Sequence, residues 1–197
     1  MSRALFSLLL VAPLAAGCVT LLPKNRPAQL YRFEAAAPQS PTGPAPITLT
    51  IDRVVLPAAS EGDGILTVRG DVAAYVEGAR WLSPAALLFR EAVVQGLMAR
   101  NSGLTLAGPG ETADRRLTVR VQRFEVDLPQ TGGRPAALVR IVAEASVVGR
   151  DGRLLFQRQL TAEKAAPALR MSALSAAFDE AMGAFDDQLA ALVASGA

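Results

Sequence analysis

Histidine is absent from all 197 residues, so the commonest general base and the usual partner of a serine or cysteine nucleophile are missing. None of the serines sits in a Gly-x-Ser-x-Gly elbow. The two lysines that a Ser–Lys pair would need are badly placed: Lys24 lies in a proline-rich approach and Lys164 follows a predicted strand. Glu61-Gly62-Asp63-Gly64 starts as a calcium loop does, but the regular acidic spacing and the distal glutamate are missing, and a turn accounts for it. The stretch from Gly103 to Gly110 has three glycines but no lysine, which makes it a loop and not a phosphate cradle. Asp114 before Arg115-Arg116 offers surface ion pairs of small worth. No catalytic set and no metal site emerges, no cofactor is expected, and the chain reads as a binding protein, not an enzyme.

One reactive side chain remains, the single cysteine Cys18. Met1-Ser2-Arg3 carries one positive charge, and Ala4 to Leu14 is an apolar run broken only by Ser7 and Pro13, as in a secretory leader. As a helix it would cover roughly 17 Å, about half of a bilayer core, so it does not span. Leu14-Ala15-Ala16-Gly17-Cys18 resembles the lipobox of bacterial lipoproteins, with Ala15 where that motif prefers leucine. The resemblance implies that residues 1–17 are cut away and that Cys18 is acylated on its thiol and its new amine. Three acyl chains exceed the two signals needed for stable anchoring. Val19 after the cysteine implies, by the sorting rule of enterobacterial lipoproteins, the inner leaflet of the outer membrane. The alternative is a secreted protein cut after Ala16 or Gly17, with Cys18 an unpaired thiol.

The elements that surround these residues follow from composition and pattern. A mass of 20.6 kDa fits one domain, and 51% hydrophobic with 19% charged residues excludes disorder. The net charge of +2 excludes nucleic acid as an expected partner, because the arginines are scattered and form no basic block. Residues 18–28 are an acylated cysteine and tether, and residues 29–197 a single domain. Six prolines between Val19 and Pro46 favour extended chain.

Leu30 to Phe33 reads as a short edge strand, and Ile47 to Leu56 alternates up to Pro57. Ile65 to Arg69 and Val72 to Val76 form a hairpin about Gly70-Asp71, ended by Gly78-Ala79. Ser83 caps a helix that starts with Pro84 and buries Ala86, Phe89, Val93 and Leu97. Leu117, Val119 and Val121 alternate in one phase and Phe124, Val126 and Leu128 in the other, which requires a bulge near Gln122-Arg123. Ala137 to Val148 turns at Gly149-Arg150-Asp151-Gly152 into a returning strand with Leu154, Phe156 and Leu160. The last helix, about Ala168 to Ala194, buries Leu174, Phe178, Ala181, Phe185, Leu189 and Leu192, with Asp179, Glu180, Asp186 and Asp187 on its solvated face. The expected fold is α+β: a mostly antiparallel sheet, a strand meander, with two main helices packed on one face.

In this order the chain resembles the auxiliary lipoprotein component of ABC-type transport systems, which accompanies transporters of the MCE (mammalian cell entry) type. The resemblance rests on Cys18 with Leu21-Leu22-Pro23, Tyr31-Arg32-Phe33, Ile51 to Pro57, Arg80-Trp81-Leu82-Ser83-Pro84, Phe124-Glu125-Val126 and the turn at 149–152. Ala58-Ala59 stands where the family has an aromatic–leucine pair, and Ser83 where it has an acid. The resemblance implies a periplasmic subunit anchored to the outer membrane that binds an MCE-domain substrate-binding protein and helps move lipid or another hydrophobic compound. Direct contact with lipid cargo and a homo-oligomer are compatible with it. Trp81 is the binding candidate, against a reading as a core anchor at the strand-to-helix junction. A chaperone lipoprotein of an outer-membrane assembly machine, of the lipopolysaccharide-insertion type, is the alternative function.

Overall fold

Period-two alternation carries most of the chain into strands, and the side chains buried at alternate positions show which face each strand turns inward. The computed structural model describes residues 27–33, 47–100, 103–108, 110–130 and 137–195. Cys18, residues 1–17 expected as a leader, and most of residues 18–28 expected as a tether lie outside the described residues. In chain order the elements are β1 (Gln29–Tyr31), β2 (Ile47–Val55), β3 (Gly64–Arg69), β4 (Val72–Trp81), α1 (Ala85–Arg100), β5 (Leu104–Leu106), β6 (Arg115–Asp127), β7 (Ala137–Gly149), β8 (Leu154–Ala166) and α2 (Met171–Ala194).

β6 organises the sheet. One of its edges pairs antiparallel with β7 from Arg115↔Gly149 to Asp127↔Leu138, and β7 pairs antiparallel with β8. The opposite edge is shared in succession. β2 runs parallel to it from Leu49↔Arg115 to Val55↔Arg120, and β3 joins parallel at Thr67↔Val126 and Val68↔Asp127. β2 and β3 therefore lie end to end along one splint, with residues 56–63 looping out between them. β4 returns antiparallel to β3, β1 adds to β4 in parallel, and β5 adds to β2 in parallel.

Among the described residues four of the seven strand pairings are thus parallel, β1·β4, β2·β5, β2·β6 and β3·β6, and the sheet is mixed. This corrects the expectation of a mostly antiparallel sheet. The meander β6–β7–β8 is antiparallel as its turn residues dictate. The first half differs because a hairpin and α1 intervene before the chain returns as β6 in the direction of β2, and such a crossover makes its strands parallel.

The bulge expected near Gln122 is present: the register with β7 shifts between Val121↔Ala143 and Arg123↔Val142. Leu117, Val119, Val121, Phe124 and Val126 are all buried in consequence. Both helices cover this one face. Phe124 meets Phe89 of α1 at 5.5 Å and Phe178 of α2 at 5.1 Å between ring centroids, and Phe89 meets Phe185 at 5.4 Å. No helix among the described residues is long and apolar enough to cross a membrane.

Three local expectations change. β4 does not stop at Gly78-Ala79 but runs to Trp81: Gly78 takes φ 68°, and beyond it the strand rejoins β3 at Gly64↔Arg80 while β1 pairs along its other edge from Ala79 to Trp81. The first N–H groups of α1 are met by the 56–63 loop and not by Ser83: Ala85 donates to the Gly62 carbonyl at 2.8 Å and Ala86 to that of Glu61 at 3.1 Å. α2 begins at Met171, and Asp186 is buried in it, not solvated.

Candidate functional site

Where β3 and β4 part company, a cleft forms. The two strands stay paired from Arg69↔Val72 to Leu66↔Tyr75, and the next pair is Gly64↔Arg80, so two steps on β3 answer five on β4. Residues 76–79 bow outward as a result, opposite the loop 56–63. The space between them has a volume of about 570 Å³, within the ~300–1,000 Å³ of small-ligand sites.

Short residues make the room. Ala58 and Ala59 carry only a methyl group each, and Gly62, Gly64 and Gly78 carry none. Gly64 is obligatory, since a Cβ there would stand 2.6 Å from the Tyr75 ring. That ring is pinned by its hydroxyl, which donates to the Ala59 carbonyl at 2.9 Å. The opposite rim holds an ion pair, Arg80 Nη1 to Asp63 Oδ1 at 2.8 Å, with both side chains about half exposed. Glu77 supplies a further carboxylate. These groups can seat a ligand by shape, hydrogen bonds and charge. The phenol is engaged with the Ala59 carbonyl, and the titratable groups that remain around the space are the carboxylates of Asp63 and Glu77 and the guanidinium of Arg80.

Sequence reasoning saw Glu61 to Gly64 as a turn and Gly78-Ala79 as a strand end, and so missed that these two segments face each other. Glycines at 62, 64, 70 and 78 flanking one hairpin were the available signal.

The structure places Trp81 inside. It is 2% exposed and packs edge-on against Phe33 at 5.3 Å and Phe178 at 5.0 Å. The Trp81 N–H donates to the Asp63 carbonyl at 2.7 Å, so its main chain closes the floor of the cleft while its indole anchors the core. The glycine-flanked stretch after Gly103, expected as a loop, includes β5, whose Leu104 to Leu106 pair with Ile47 to Leu49 of β2. Asp114 reaches the same part of β2: its N–H donates to the Thr48 carbonyl at 2.9 Å, and its carboxylate accepts the Thr48 N–H at 3.0 Å and an Arg150 N–H at 2.9 Å. The Thr48 bond, assisted by Arg150, holds its carboxyl below the ordinary value. Among the described residues no group of three or more Cys, Asp or Glu is placed to hold a metal ion.

The helix-free face carries a charged row across β6, β7 and β8. Arg140 reaches Asp127 at 3.0 Å and Glu163 at 2.9 Å, and Arg123 approaches Glu125 at 3.6 Å. Burial, reinforced by Asp127, raises the Glu125 carboxyl. Between the helices lies a second group, Asp186, which its charge had assigned to the solvated face. Its helical neighbours four residues away, Met182 and Ala190, are both apolar and buried, which is the signal that its position faces inward.

Comparison with known proteins agrees with this architecture. The sequence model for the ABC-type transport auxiliary lipoprotein component matches residues 30–190. A crystal structure of protein XCC0632 from Xanthomonas campestris, of family DUF330, superposes with a TM-score of 0.69 at 19% identity, covering 84% of this chain and 95% of that one. A second crystal structure, of an uncharacterized protein, gives 0.63 at 17% identity, covering 86% and 100%. At these identities the two structures establish the shared fold. No curated protein matches the chain.

Proposed function

The chain belongs to the family of ABC-type transport auxiliary lipoprotein components, and from that premise we propose that it is a lipid-anchored periplasmic subunit serving an MCE-type ABC transporter. In this reading Cys18 carries the acyl chains that hold the domain to the outer membrane. The domain itself binds the MCE-domain substrate-binding protein and so assists the movement of lipid or another hydrophobic compound. It contributes contacts, and the transporter's other subunits contribute ATP hydrolysis.

The observation that carries the reading is the family match, which spans nearly the whole domain of residues 29–197. The lipobox-like Leu14 to Cys18 supports the anchor. Supporting the binding role, the polar groups of the β3–β4 cleft are suited to recognition of a ligand or partner by hydrogen bonds and charge.

The test is capture of the tagged full-length chain at native expression from detergent-solubilised envelope, with quantitative mass spectrometry. Enrichment of an MCE-domain protein together with a permease and an ATPase is expected. Enrichment of none of them overturns the transport role. The mass of the mature amino terminus tests the anchor separately, because a bare Cys18 thiol or an uncut leader removes it.

A further inference from the structure

Asp186 is 2% exposed and meets α1 at Gly96, where a Cβ would stand only 2.2 Å from its Oδ2. Its Oδ1 has no hydrogen-bond partner. The cation that faces it from α1, Arg100, stands 3.8 Å from Oδ2, beyond hydrogen-bond reach. Arg100 is committed elsewhere: to Asp187 through Nε, to the Gly183 carbonyl at 3.1 Å and to the Gly96 carbonyl at 3.4 Å. The other charge acting on Asp186 is Asp187 of its own helix, on the same guanidinium.

A carboxylate in this place would lose its hydration and gain no hydrogen bond, whereas a neutral carboxyl fits at much smaller cost. The rest of the seam is apolar, with Phe89 against Phe185. α1 packs on β2, on the three-residue β5 and, through Phe89, on Phe124 of β6, while α2 lies along β7 and β8.

We propose that the α1–α2 seam is a proton-operated latch, closed when Asp186 is neutral and loosened when its proton leaves to solvent and water follows the charge into the seam. No other bond forms or breaks in the step. Burial, against the pull of Arg100 and with the push of Asp187, raises this carboxyl from 3.8 to about 7. The sign follows from linkage. The closed state keeps a proton that the open state has released, so closure is favoured at low pH, weakens as pH rises from about 4 to about 7, and is flat beyond.

Amide hydrogen exchange of the full chain at pH 5 and pH 8, corrected for intrinsic chemical exchange, reads the latch directly. In the parent, protection of residues 85–100 falls about tenfold or more between the two conditions, while β6 and β7 hold theirs. In Asp186→Asn, which keeps the shape and cannot ionise, protection of α1 is the same at both. Equal protection of the parent at both pH values overturns the latch, as does a loss that persists in Asp186→Asn. Should the variant not fold, a carbon-13 titration of the Asp186 carboxyl in the parent decides. A midpoint near 7 that α1 amide shifts follow supports the latch, and a midpoint near 4 overturns it.

Discussion

Gln188 on α2 answers both main-chain polar groups of Thr161 on β8: its Oε1 accepts the Thr161 N–H at 3.4 Å and its Nε2 donates to the Thr161 carbonyl at 2.9 Å. β7 fills the other edge of β8, so the side-chain amide stands where the peptide of a further strand would lie. An exposed strand edge invites pairing with another chain, and here a helix blocks its middle.

Gln188→Ala leaves those two groups to water. A loss of about 1 kcal/mol in stability is expected, with faster exchange of the Thr161 amide. Nuclear magnetic resonance of exchanging amides checks it, and an unaltered Thr161 rate would contradict the blocking role.

Replacing Gly96 by alanine sets two effects against each other. Helix propensity favours alanine by about 1 kcal/mol, but the new Cβ collides with the carboxyl of Asp186. Overpacking of this kind costs about 1–3 kcal/mol, so Gly96→Ala is expected to be net destabilising in urea unfolding. Adding Asp186→Ala to it restores most of the loss. A Gly96→Ala variant as stable as the parent would count against the packing described.

Acid should act through Asp114. A carboxyl held below its ordinary value stabilises the fold above the unfolded-state value of 3.8, and this contribution disappears as pH falls through the lower, folded-state value. Asp114→Ala therefore flattens the acid limb of a stability–pH curve and leaves the neutral region sloping as before. Acid unfolding followed by circular dichroism measures it. Parallel acid limbs for parent and variant would be the negative result.

The bulge offers a gentler perturbation. Deleting Gln122 removes the residue that has no partner on β7, and Leu117, Val119, Val121, Phe124 and Val126 then alternate without a break, all still facing the helices. The expected cost is about 1–3 kcal/mol, from the backbone shifts of straightening a strand that the bulge bends. Thermal unfolding reads the result, and a deletion variant that no longer folds would mean that the bend itself is needed to place β2 and β3 along β6.

Trp81→Ala empties the junction that Phe33, Phe124 and Phe178 share, at an expected cost of about 3–5 kcal/mol by denaturant unfolding. Trp81→Phe keeps a ring there and should retain most of the stability. If it also retains any transporter subunits that the parent captures, the indole acts through packing; a lost partner with an intact fold would assign it a contact.

What the sequence disclosed depended on how local the cause was. The two phases of β6 sit within thirteen residues, and the turn at Gly149-Arg150-Asp151-Gly152 joins neighbours, so bulge and meander were both readable. Alternation states which side chains turn inward but not which strand lies alongside. The parallel pairing of β2 and β3 with β6 is set by contacts across some sixty residues and left no local mark. The cleft escaped for the same reason, since its two walls are a loop and a bowed strand whose meeting depends on pairing. Asp186 escaped because charge was allowed to outweigh its position between Met182 and Ala190. The family resemblance, by contrast, used order and spacing along the chain, which survive when partner strands cannot be guessed.

The splint role of β6 also sets the order of assembly. As the chain emerges from its amino-terminal side, β2 and β3 are present before their shared neighbour β6, so that half can close little beyond the β3–β4 hairpin. Once the carboxyl-terminal half appears, β6, β7, β8 and α2 can fold through contacts between successive elements, which close fast. The part made first is therefore the part finished last, and a chain shortened from its carboxyl end before residue 127 would be a substrate for proteases and not a smaller domain.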